Sequence, residues 1–455
     1  MTAIITQDFK KQIVQDLYDN IQDSAERYFI GIGRSQDWDS ADAAPTPIQT
    51  NREIRNARLN LQSVKSAEDV SFVIPRYNWS SGTIYNRWDD AVSGQPSPSY
   101  YVLTDENQVY ICLGVGKSAT GDAIASTIQP TGASPNSFTT SDGYTWKFLF
   151  SLPALSTSKF LTANFLPIRY IGTTDLSSPA FDLEQKGIQD AAIPGQISGI
   201  SVVDAGTGYS TAPTVSIIGN GSGASATATI SGGSVVKIEM DNDSAAFGSG
   251  YSYAEVVLTG GGSTSAAAAR AILSPVNGFG ADPRDDLRST GIMFNSKLSG
   301  DEDGDFVTTN DFRQIVIMKN LKTPADSDYT GITGNALRAL KLSDVNVTFS
   351  PDKIIEGLTS GANGYVDKYD ISTQTIFFHQ DENTGFGTFI EGEGIVEING
   401  SGDGTLDSAG VDSDTSATSA LEVDPFSGTI LYIDNRAPVS RSVEQTEDIK
   451  AVIRF

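Results

Sequence analysis

Acid–base chemistry in this chain would have to use a single histidine, His379, which follows the apolar pair Phe377 and Phe378. One histidine is enough for a Ser-His-Asp triad, but the G-x-S-x-G turn that presents the serine in many hydrolases does not occur in the sequence. A metal site held by histidines would need more of them. We therefore predict a structural role for His379, at the end of a strand.

A short glycine motif, Gly114–Ser118, resembles the end of a phosphate-binding loop. The complete pattern places another glycine five positions before Gly116, and this chain has Ile111 there. The pattern is therefore incomplete, and we predict a turn that ends a strand.

An acidic motif, Asp301–Asp305, resembles the first half of a calcium loop. That loop requires glycine at its sixth position and a bidentate acid at its twelfth, and these positions hold Phe306 and Phe312. We predict solvated acids in a turn. Weak calcium binding with another geometry stays open at this stage.

Carboxylate pairs are the remaining catalytic candidates, because glycoside hydrolases use two acids ~5 to 9 Å apart. The acids to consider lie in one acid-rich stretch: Asp381, Glu382, Glu391 and Glu393. With 56 aspartates and glutamates in the chain, however, some pair at this spacing is expected without selection for catalysis. No groove of aromatic residues surrounds one pair in the sequence, so we predict that the chain is not an enzyme and binds no cofactor.

The charge composition argues against two further classes of protein. The 455 residues include 31 Lys and Arg against 56 Asp and Glu, which gives a net charge of −25. Such a surface repels phosphate backbones and anionic lipids, so we predict neither a nucleic-acid partner nor a membrane partner. The single cysteine, Cys112, lies in an apolar run, which predicts a buried thiol and synthesis in a reducing cytoplasm.

The apolar pattern predicts a mainly β, multi-domain fold with antiparallel, barrel-like sheets, because strands and turns alternate over most of a chain too long for one core. The exception is a short N-terminal helix within residues 1–25, for which Asp8 is the predicted cap. Its apolar residues recur at helical spacing: Phe9, Ile13, Leu17, Tyr18 and Ile21. We predict that residues 1–190 form one β-rich domain containing this helix.

Residues 195–275 are rich in Gly and Ala and contain two copies of one β-unit. Gly206-Thr-Gly208-Tyr209 recurs as Gly248-Ser-Gly250-Tyr251, so residue 250 repeats residue 208 at an offset of 42. Each copy continues with an apolar strand, a glycine cluster and an alternation of small residues. Since two copies are fewer than a free-standing solenoid needs, we predict a compact inserted β-repeat module.

The last third of the chain contains a second predicted insertion and a closing pair of strands. Residues 352–424 read as short strands with glycine turns, followed by a polar loop rich in Ser, Asp, Gly and Thr. After them come a predicted strand over Thr429–Ile433, a turn over Asp434–Pro438 and a final strand. The final strand places four apolar residues on one face: Ile449, Ala451, Ile453 and Phe455.

Five stretches are distinctive when taken in order: Phe29–Ser35 with Trp38, Val73–Trp79, Asp142–Phe150, Asp311–Ile315 and Gly428–Phe455. Together they resemble the family of baseplate wedge subunits encoded by gene eight of T-even-type contractile-tailed phages. The resemblance covers about residues 1–190, 285–350 and 425–455, which would together form the wedge core. The segments 195–275 and 352–424 interrupt it, so we expect them on the outside of that core.

This resemblance implies a structural protein of the virion, located in the tail baseplate. It implies a homodimer that contacts other wedge proteins, including those that carry or adjoin the peripheral fibres. The subunit would act as a rigid connector during assembly and during the rearrangement that host contact triggers. The inserted modules depart from the family pattern, and we expect them to make additional contacts at the periphery.

Arginine and tryptophan pairs within these stretches are the predicted interface residues, since both types are frequent in interface hot spots. The set comprises Arg34, Trp38, Arg76, Trp79, Arg313, Arg436 and, from the final strand, Phe455. For each residue taken alone, packing within its own domain is an equally good explanation.

Two other functions are compatible with the sequence. The Gly-rich modules could belong to a peripheral adhesin that binds host-surface glycan, and the many acids could belong to a tail-associated hydrolase. Deletion of residues 195–275 would distinguish the adhesin from the wedge connector. Release of sugar from host envelope by the purified protein would indicate the second.

Overall fold

The computed structural model describes residues 4–23, 26–38, 43–67, 69–172, 179–241, 244–408, 418–419 and 421–455. Strands account for 41% and helices for 12% of the chain, in several antiparallel sheets. The predicted mainly β fold with a short N-terminal helix is therefore confirmed.

The described α-helices are α1 Gln7–Gln22, α2 Asn51–Leu59, α3 Ala154–Phe160, α4 Pro179–Asp190 and α5 Pro283–Asp286, with 3₁₀ turns at Ser244–Ala246 and Glu302–Gly304. The first strands are β1 Tyr28–Gly33, β2 Leu61–Ser66, β3 Asp69–Pro75, β4 Tyr101–Leu103, β5 Gln108–Gly114, β6 Phe138–Thr139, β7 Thr145–Ser151 and β8 Phe165–Ile168. The next are β9 Ile197–Asp204, β10 Thr214–Gly219, β11 Ser222–Ala224, β12 Ala226–Ser231, β13 Ser234–Met240, β14 Phe247–Ser249, β15 Ala254–Thr259 and β16 Ala268–Leu273. The remainder are β17 Gly291–Ser299, β18 Phe312–Lys319, β19 Thr333–Asn335, β20 Arg338–Val347, β21 Ile354–Gly357, β22 Asn363–Asp370, β23 Thr375–His379, β24 Gly394–Ile398, β25 Asp403–Leu406, β26 Thr418–Ser419, β27 Thr429–Val439 and β28 Thr446–Arg454.

The chain forms two compact units, each made of segments that are distant in sequence. Unit 1 consists of Met1–Tyr18, Ser71–Met293 and Val452–Phe455, and unit 2 consists of Asp19–Val70 and Phe294–Ala451. Residues 1–190 therefore contribute to both units, and the segment 195–275 lies entirely within unit 1.

Helix α1 begins at Gln7, two residues earlier than the predicted cap Asp8 implies. The backbone N–H of Phe9 donates to Thr6 Oγ1 at 3.3 Å, so Thr6 caps the helix. The predicted cap, Asp8, instead lies in the first turn, where a carboxylate favours the helix dipole. On the predicted apolar face Ile21 is buried, but Phe9 is 57% exposed. Helices α2, α3, α4 and α5 were not predicted. Helices α3 and α5 are too short to show a clear period, whereas α2 and α4 are amphipathic and their pattern was missed.

Unit 1 contains the aromatic core, around an antiparallel sheet in the order β4-β5-β7-β6. The pleat places side chains of β5 and β7 on one face, where they pack with Tyr144, the residue before β7. The resulting cluster has 0% exposure: Tyr110, Cys112, Tyr144, Trp146 and Phe148. Cys112 donates to the carbonyl of Gly114, and burial raises the pKa of its thiol well above the ordinary value. The thiol is therefore a structural residue, as predicted.

The two copies of the repeat in unit 1 adopt matching conformations and interlock. Gly206 and Gly248 both have a left-handed backbone, with φ of 60° and 62°. Strands β10 and β15, one from each copy, pair antiparallel. Tyr209 of the first copy contacts Gly261 of the second, and in return Tyr251 contacts Gly219. Because each copy contributes to the core of the other, the module folds as one body and not as a row of repeats.

Unit 2 contains a five-stranded antiparallel sheet in the order β19-β2-β1-β18-β27. Strand β18 is central and nearly fully buried, as its apolar run Ile315–Met318 requires on both faces. It pairs with β1 through Gly33 and Gln314, and with β27 through Gln314 and Asn435. The strand ends after Gly33, before Phe312 and near Val439 therefore lie at one end of the sheet.

A second sheet of unit 2 has the order β23-β22-β21-β24-β25-β20-β26, and β23 also pairs with β20. Its apolar side chains form a separate core that includes Leu340, Ile355, Val366, Ile376 and Phe378. Strands β22 and β23 are neighbours in the register Tyr365 to His379. This register brings the chain's one histidine beside the strand that carries Asp367.

The predicted turn over Asp434–Pro438 is wrong, because β27 continues through it to Val439. Pairing with β18 holds Asp434 opposite Ile315 and Asn435 opposite Gln314, so the sheet overrides the turn preference of these residues. In the final strand, Ile449 and Ala451 are buried as expected, whereas Phe455 lies beyond β28 and is 39% exposed.

Candidate functional site

The candidate site lies at the end of the first sheet of unit 2, where three strands carry arginines into one region. Arg34 directly follows β1, Arg313 is the second residue of β18, and Arg436 lies in β27. Since these strands are adjacent and antiparallel, their register brings together residues from three distant parts of the chain. Four of the seven predicted interface residues meet here, because Trp38 joins the three arginines. We call Arg34, Trp38, Arg313 and Arg436 the Arg/Trp cluster.

Trp38 connects two of these arginines. The guanidinium carbon of Arg34 lies 4.0 Å from the centroid of the Trp38 ring, in a cation–π contact. The indole Nε1–H donates to the carbonyl oxygen of Arg436 at 2.7 Å. The indole is therefore held at both its face and its edge, while Arg436 keeps a half-exposed side chain beside Asp434.

Arg313 fixes the loop that carries Arg34 and Trp38. Its backbone N–H donates to the carbonyl of Arg34 at 3.0 Å, and its guanidinium donates to the carbonyl of Ser35 and to Asp37 Oδ1, the latter at 2.6 Å. The guanidinium is almost completely buried, whereas 78% of the Asp37 side chain is exposed. The buried Arg313 therefore holds the loop in place, and the side chains of Asp37 and Trp38 lie on the outer side of the loop.

A buried polar network lies against this loop. Asp367 is 0% exposed, and its Oδ1 accepts hydrogen bonds from Ser35 Oγ at 3.1 Å and from Gln62 Nε2 at 2.9 Å. Its Oδ2 pairs with His379 Nδ1. The other ring nitrogen, Nε2, lies 3.2 Å from Gln36 Oε1. The loop residues Ser35 and Gln36 are therefore anchored to β22 and β23 by polar contacts.

The protonation state of His379 follows from its surroundings. Burial lowers the pKa of the imidazole, but the adjacent Asp367 carboxylate outweighs burial and holds the pKa above its ordinary value. When charged, the ring donates from both nitrogens, to Asp367 and to Gln36. This arrangement is an ion pair that positions a loop and not a catalytic triad, because Ser35 contacts the aspartate and not the histidine.

The other predicted interface residues lie in unit 1 and are engaged there. Arg76 donates to Asn78 Oδ1 at 2.8 Å and to the carbonyl of Thr162 at 2.9 Å. Trp79 donates to Ser126 Oγ at 3.2 Å. The backbone N–H of Phe455 donates to the carbonyl of Thr290. The contacts of Arg76 and Trp79 fit packing within a domain. This is the explanation that the sequence left open for these two residues.

Three of the four acids considered for glycoside hydrolysis have structural partners. Glu382 pairs with Arg52 and Arg55, and Glu393 accepts from the backbone N–H groups of Thr359, Ser360 and Ile390. Asp381 caps the turn that includes Asn383 and Thr384. In the calcium-like motif, Asp301 pairs with Lys368 and Glu302 with Lys65. Within the described ranges, no group of three or more His, Cys, Asp or Glu side chains is arranged to hold a metal ion.

The sequence did not single out Asp367, Asp37 or Gln62. A signal for Asp367 was present, since one acid within the apolar strand Tyr365–Tyr369 predicts a buried carboxylate that needs a partner. Asp37 and Gln62 have no such signal, because exposed acids and strand glutamines are common.

Comparison with known proteins identifies no relative of this chain. No protein-family model matches the chain, and the search of curated proteins finds no significant match. In the part of the chain that the structure describes, no helix has the length and apolarity needed to cross a membrane.

Proposed function

We propose that this chain is a structural subunit of a baseplate wedge in a contractile phage tail, where it connects other wedge proteins. The observation that carries the proposal is the Arg/Trp cluster, since it joins residues from three of the five family-like stretches at one end of a sheet. Aromatic and arginine side chains held in place before binding are the usual anchors of protein interfaces.

The fixed conformation of the loop at residues 34–38 supports a mechanical role. Hydrogen bonds from Arg313 and contacts with the Asp367–His379 pair hold residues 34–38 in one conformation. Because these side chains are already ordered, the docking of a partner would cost little further side-chain entropy. A connector of this kind transmits a rearrangement of the baseplate while its own fold changes little. The proposed assembly is a homodimer bound to neighbouring wedge proteins, with two copies in each wedge, in the tail of the virion.

The double substitution Trp38→Ala with Arg436→Ala is expected to weaken assembly at least tenfold, because it removes the anchor side chains and leaves Arg313 in place. Light scattering gives the mass of the purified chain alone and of its mixtures with the candidate wedge neighbours. The wild-type protein is expected to be a dimer when measured alone and to join a larger complex when the wedge neighbours are added.

The matched control is Arg52→Ala with Arg55→Ala, which removes two exposed arginines of the same unit. It is expected to assemble like wild type. Equal assembly of both double variants, with unchanged melting temperatures, would contradict the proposal.

The second candidate function is a peripheral adhesin that binds host-surface glycan, and a cleft beside the repeat module of unit 1 favours it. Deleting residues 195–275 is expected to leave wedge assembly intact and abolish adsorption to host cells if the adhesin is correct. Loss of assembly in this deletion, with adsorption following only as a consequence, would favour the connector. Light scattering and an adsorption assay measure the two outcomes separately.

A further inference from the structure

Unit 1 contains a cleft of about 650 Å³, bounded on one side by the aromatic sheet and on the other by the repeat module. This volume is in the range of small-molecule sites. The apolar residues that line the cleft include Ile84 and Val92, which are exposed, and Leu113, Ile238 and Tyr100, which are buried. Polar groups interrupt the walls at Asn86, Thr139, Thr145 and Ser198.

Two of the cations that line the cleft have few partners within the described residues. Arg87 Nη2 donates to the carbonyl of Ile200 at 3.1 Å, which uses one of the five N–H groups of a guanidinium. The Lys117 ammonium makes no hydrogen bond or ion pair with another described residue, although burial and the nearby Arg87 both lower its pKa. Arg87 and Lys117 line the same cleft. The carboxylates of Asp89 and Glu239 raise the pKa values of Arg87 and Lys117, respectively, but burial outweighs them, so each pKa stays below its ordinary value. A further anion in the cleft would stabilise both cations in their charged form.

The two acids that line the cleft are already paired with cations. Asp89 Oδ2 accepts from Arg270 at 2.6 Å, and Glu239 pairs with Lys237 at 2.8 Å. Arg288 donates to the carbonyl of Gly94 at 3.1 Å and to the carbonyl of Asp89, which leaves its charge in place but uses its N–H groups. Arg87 and Lys117 are therefore the cations with N–H groups left for a ligand, in a chain whose net charge is −25.

Gly199 in β9 accommodates the guanidinium of Arg87. A Cβ at this position would lie 2.7 Å from Arg87 Nη1. The absence of a side chain thus allows the arginine to lie across the strand at the wall of the cleft. An alanine here would displace the mobile end of Arg87 without disturbing the backbone.

We propose that this cleft binds an acidic oligosaccharide, with the sugar carboxylates on Arg87 and Lys117. The cleft is larger than one inorganic anion fills, and its mixture of apolar walls with amide and hydroxyl groups suits sugar rings, which present both C–H faces and hydroxyls. Polyphosphate chains fit less well, since they present no C–H faces to the apolar part of the walls. This inference does not depend on the wedge proposal.

The test measures binding of trigalacturonate to the full chain by isothermal titration calorimetry at low salt. Wild type is expected to bind one molecule per chain, and Lys117→Gln to bind about tenfold more weakly or less, as the loss of a charge-assisted hydrogen bond predicts. Gly199→Ala is expected to weaken binding in the same direction, although it changes no charge. Lys186→Gln in α4, outside the cleft, is the matched control and is expected to bind like wild type.

Two further ligands separate saccharide binding from a bare anion site. Maltotriose has no carboxylate and is expected to bind at least tenfold more weakly than trigalacturonate, whereas inorganic sulfate is expected to compete only at much higher concentration. The inference is overturned if trigalacturonate shows no binding at millimolar concentration, if Lys117→Gln and Lys186→Gln bind it equally, or if sulfate binds as tightly. None of these outcomes involves wedge assembly, which light scattering reports independently.

Discussion

Replacing Asp367 with alanine is expected to lower the free energy of unfolding by about 3 to 5 kcal/mol, because the buried His379 must then either give up its proton or stay charged without a partner. The carboxylate also accepts hydrogen bonds from Ser35 and Gln62, and both donors would lose this partner. Denaturation of the full chain in guanidinium chloride, followed by tryptophan fluorescence and circular dichroism, measures the change.

The control for this prediction is Asp344→Ala, which makes the same substitution at an exposed position in β20 of unit 2. It is expected to change the free energy of unfolding by no more than about 0.5 kcal/mol. If Asp367→Ala and Asp344→Ala were equally stable, the Asp367–His379 pair would contribute nothing to the fold.

The same pair predicts a pH dependence whose sign can be worked out. Because the pKa of His379 is raised in the folded state, its contribution is complete below the unfolded pKa of about 6.5 and is lost as pH rises through the folded value. In Asp367→Asn the carboxylate is absent and burial dominates, so the pKa of His379 falls below its ordinary value. The variant is then expected to lose stability as pH falls through 6.5, opposite to wild type. Denaturation between pH 5 and pH 9 checks the reversal, and parallel profiles for the two proteins would contradict it.

Sequence patterns predicted those parts of the fold that depend on neighbouring residues. A short apolar run followed by turn residues located strand Thr429–Ile433, and helical spacing located α1. The pairing of β1 and β27 with β18 was not predictable, because register depends on contacts between segments hundreds of residues apart. The same pairing explains the error at Asp434–Pro438, where residues typical of turns continue a strand.

The candidate site also depends on strand pairing that the sequence does not predict. Residue type singled out Arg34, Arg313 and Arg436, but it singled out Arg76 equally, and Arg76 donates to neighbours within unit 1. Only the order of strands in the sheet distinguishes arginines that meet from one that does not. The partner of His379 was hidden for a similar reason, since β22 and β23 must pair before Asp367 lies beside it.

The glycines of the repeat were predictable in type, and the structure adds the reason why an alanine cannot replace them. Gly206→Ala and Gly248→Ala are each expected to destabilise the protein by about 2 to 5 kcal/mol, from left-handed strain and from overpacking against backbone. A Cβ on Gly206 would lie 2.6 Å from Ala267 N and Ser265 O, and one on Gly248 equally close to Ala224 N and Ser222 O. Denaturation of the full chain measures the loss, and hydrogen exchange locates it in β9–β16.

Gly232→Ala is the control that separates the two causes. Gly232 has a φ of 58°, like Gly206, but a Cβ there would have no atom within 4 Å. This variant should therefore lose only the strain of a left-handed alanine, about 1 to 2 kcal/mol. Equal losses in Gly206→Ala and Gly232→Ala would show that the close approach of the two copies contributes nothing. A loss in Gly206→Ala that Gly248→Ala does not share would contradict their reciprocal packing, because each glycine lies against the backbone of the opposite copy.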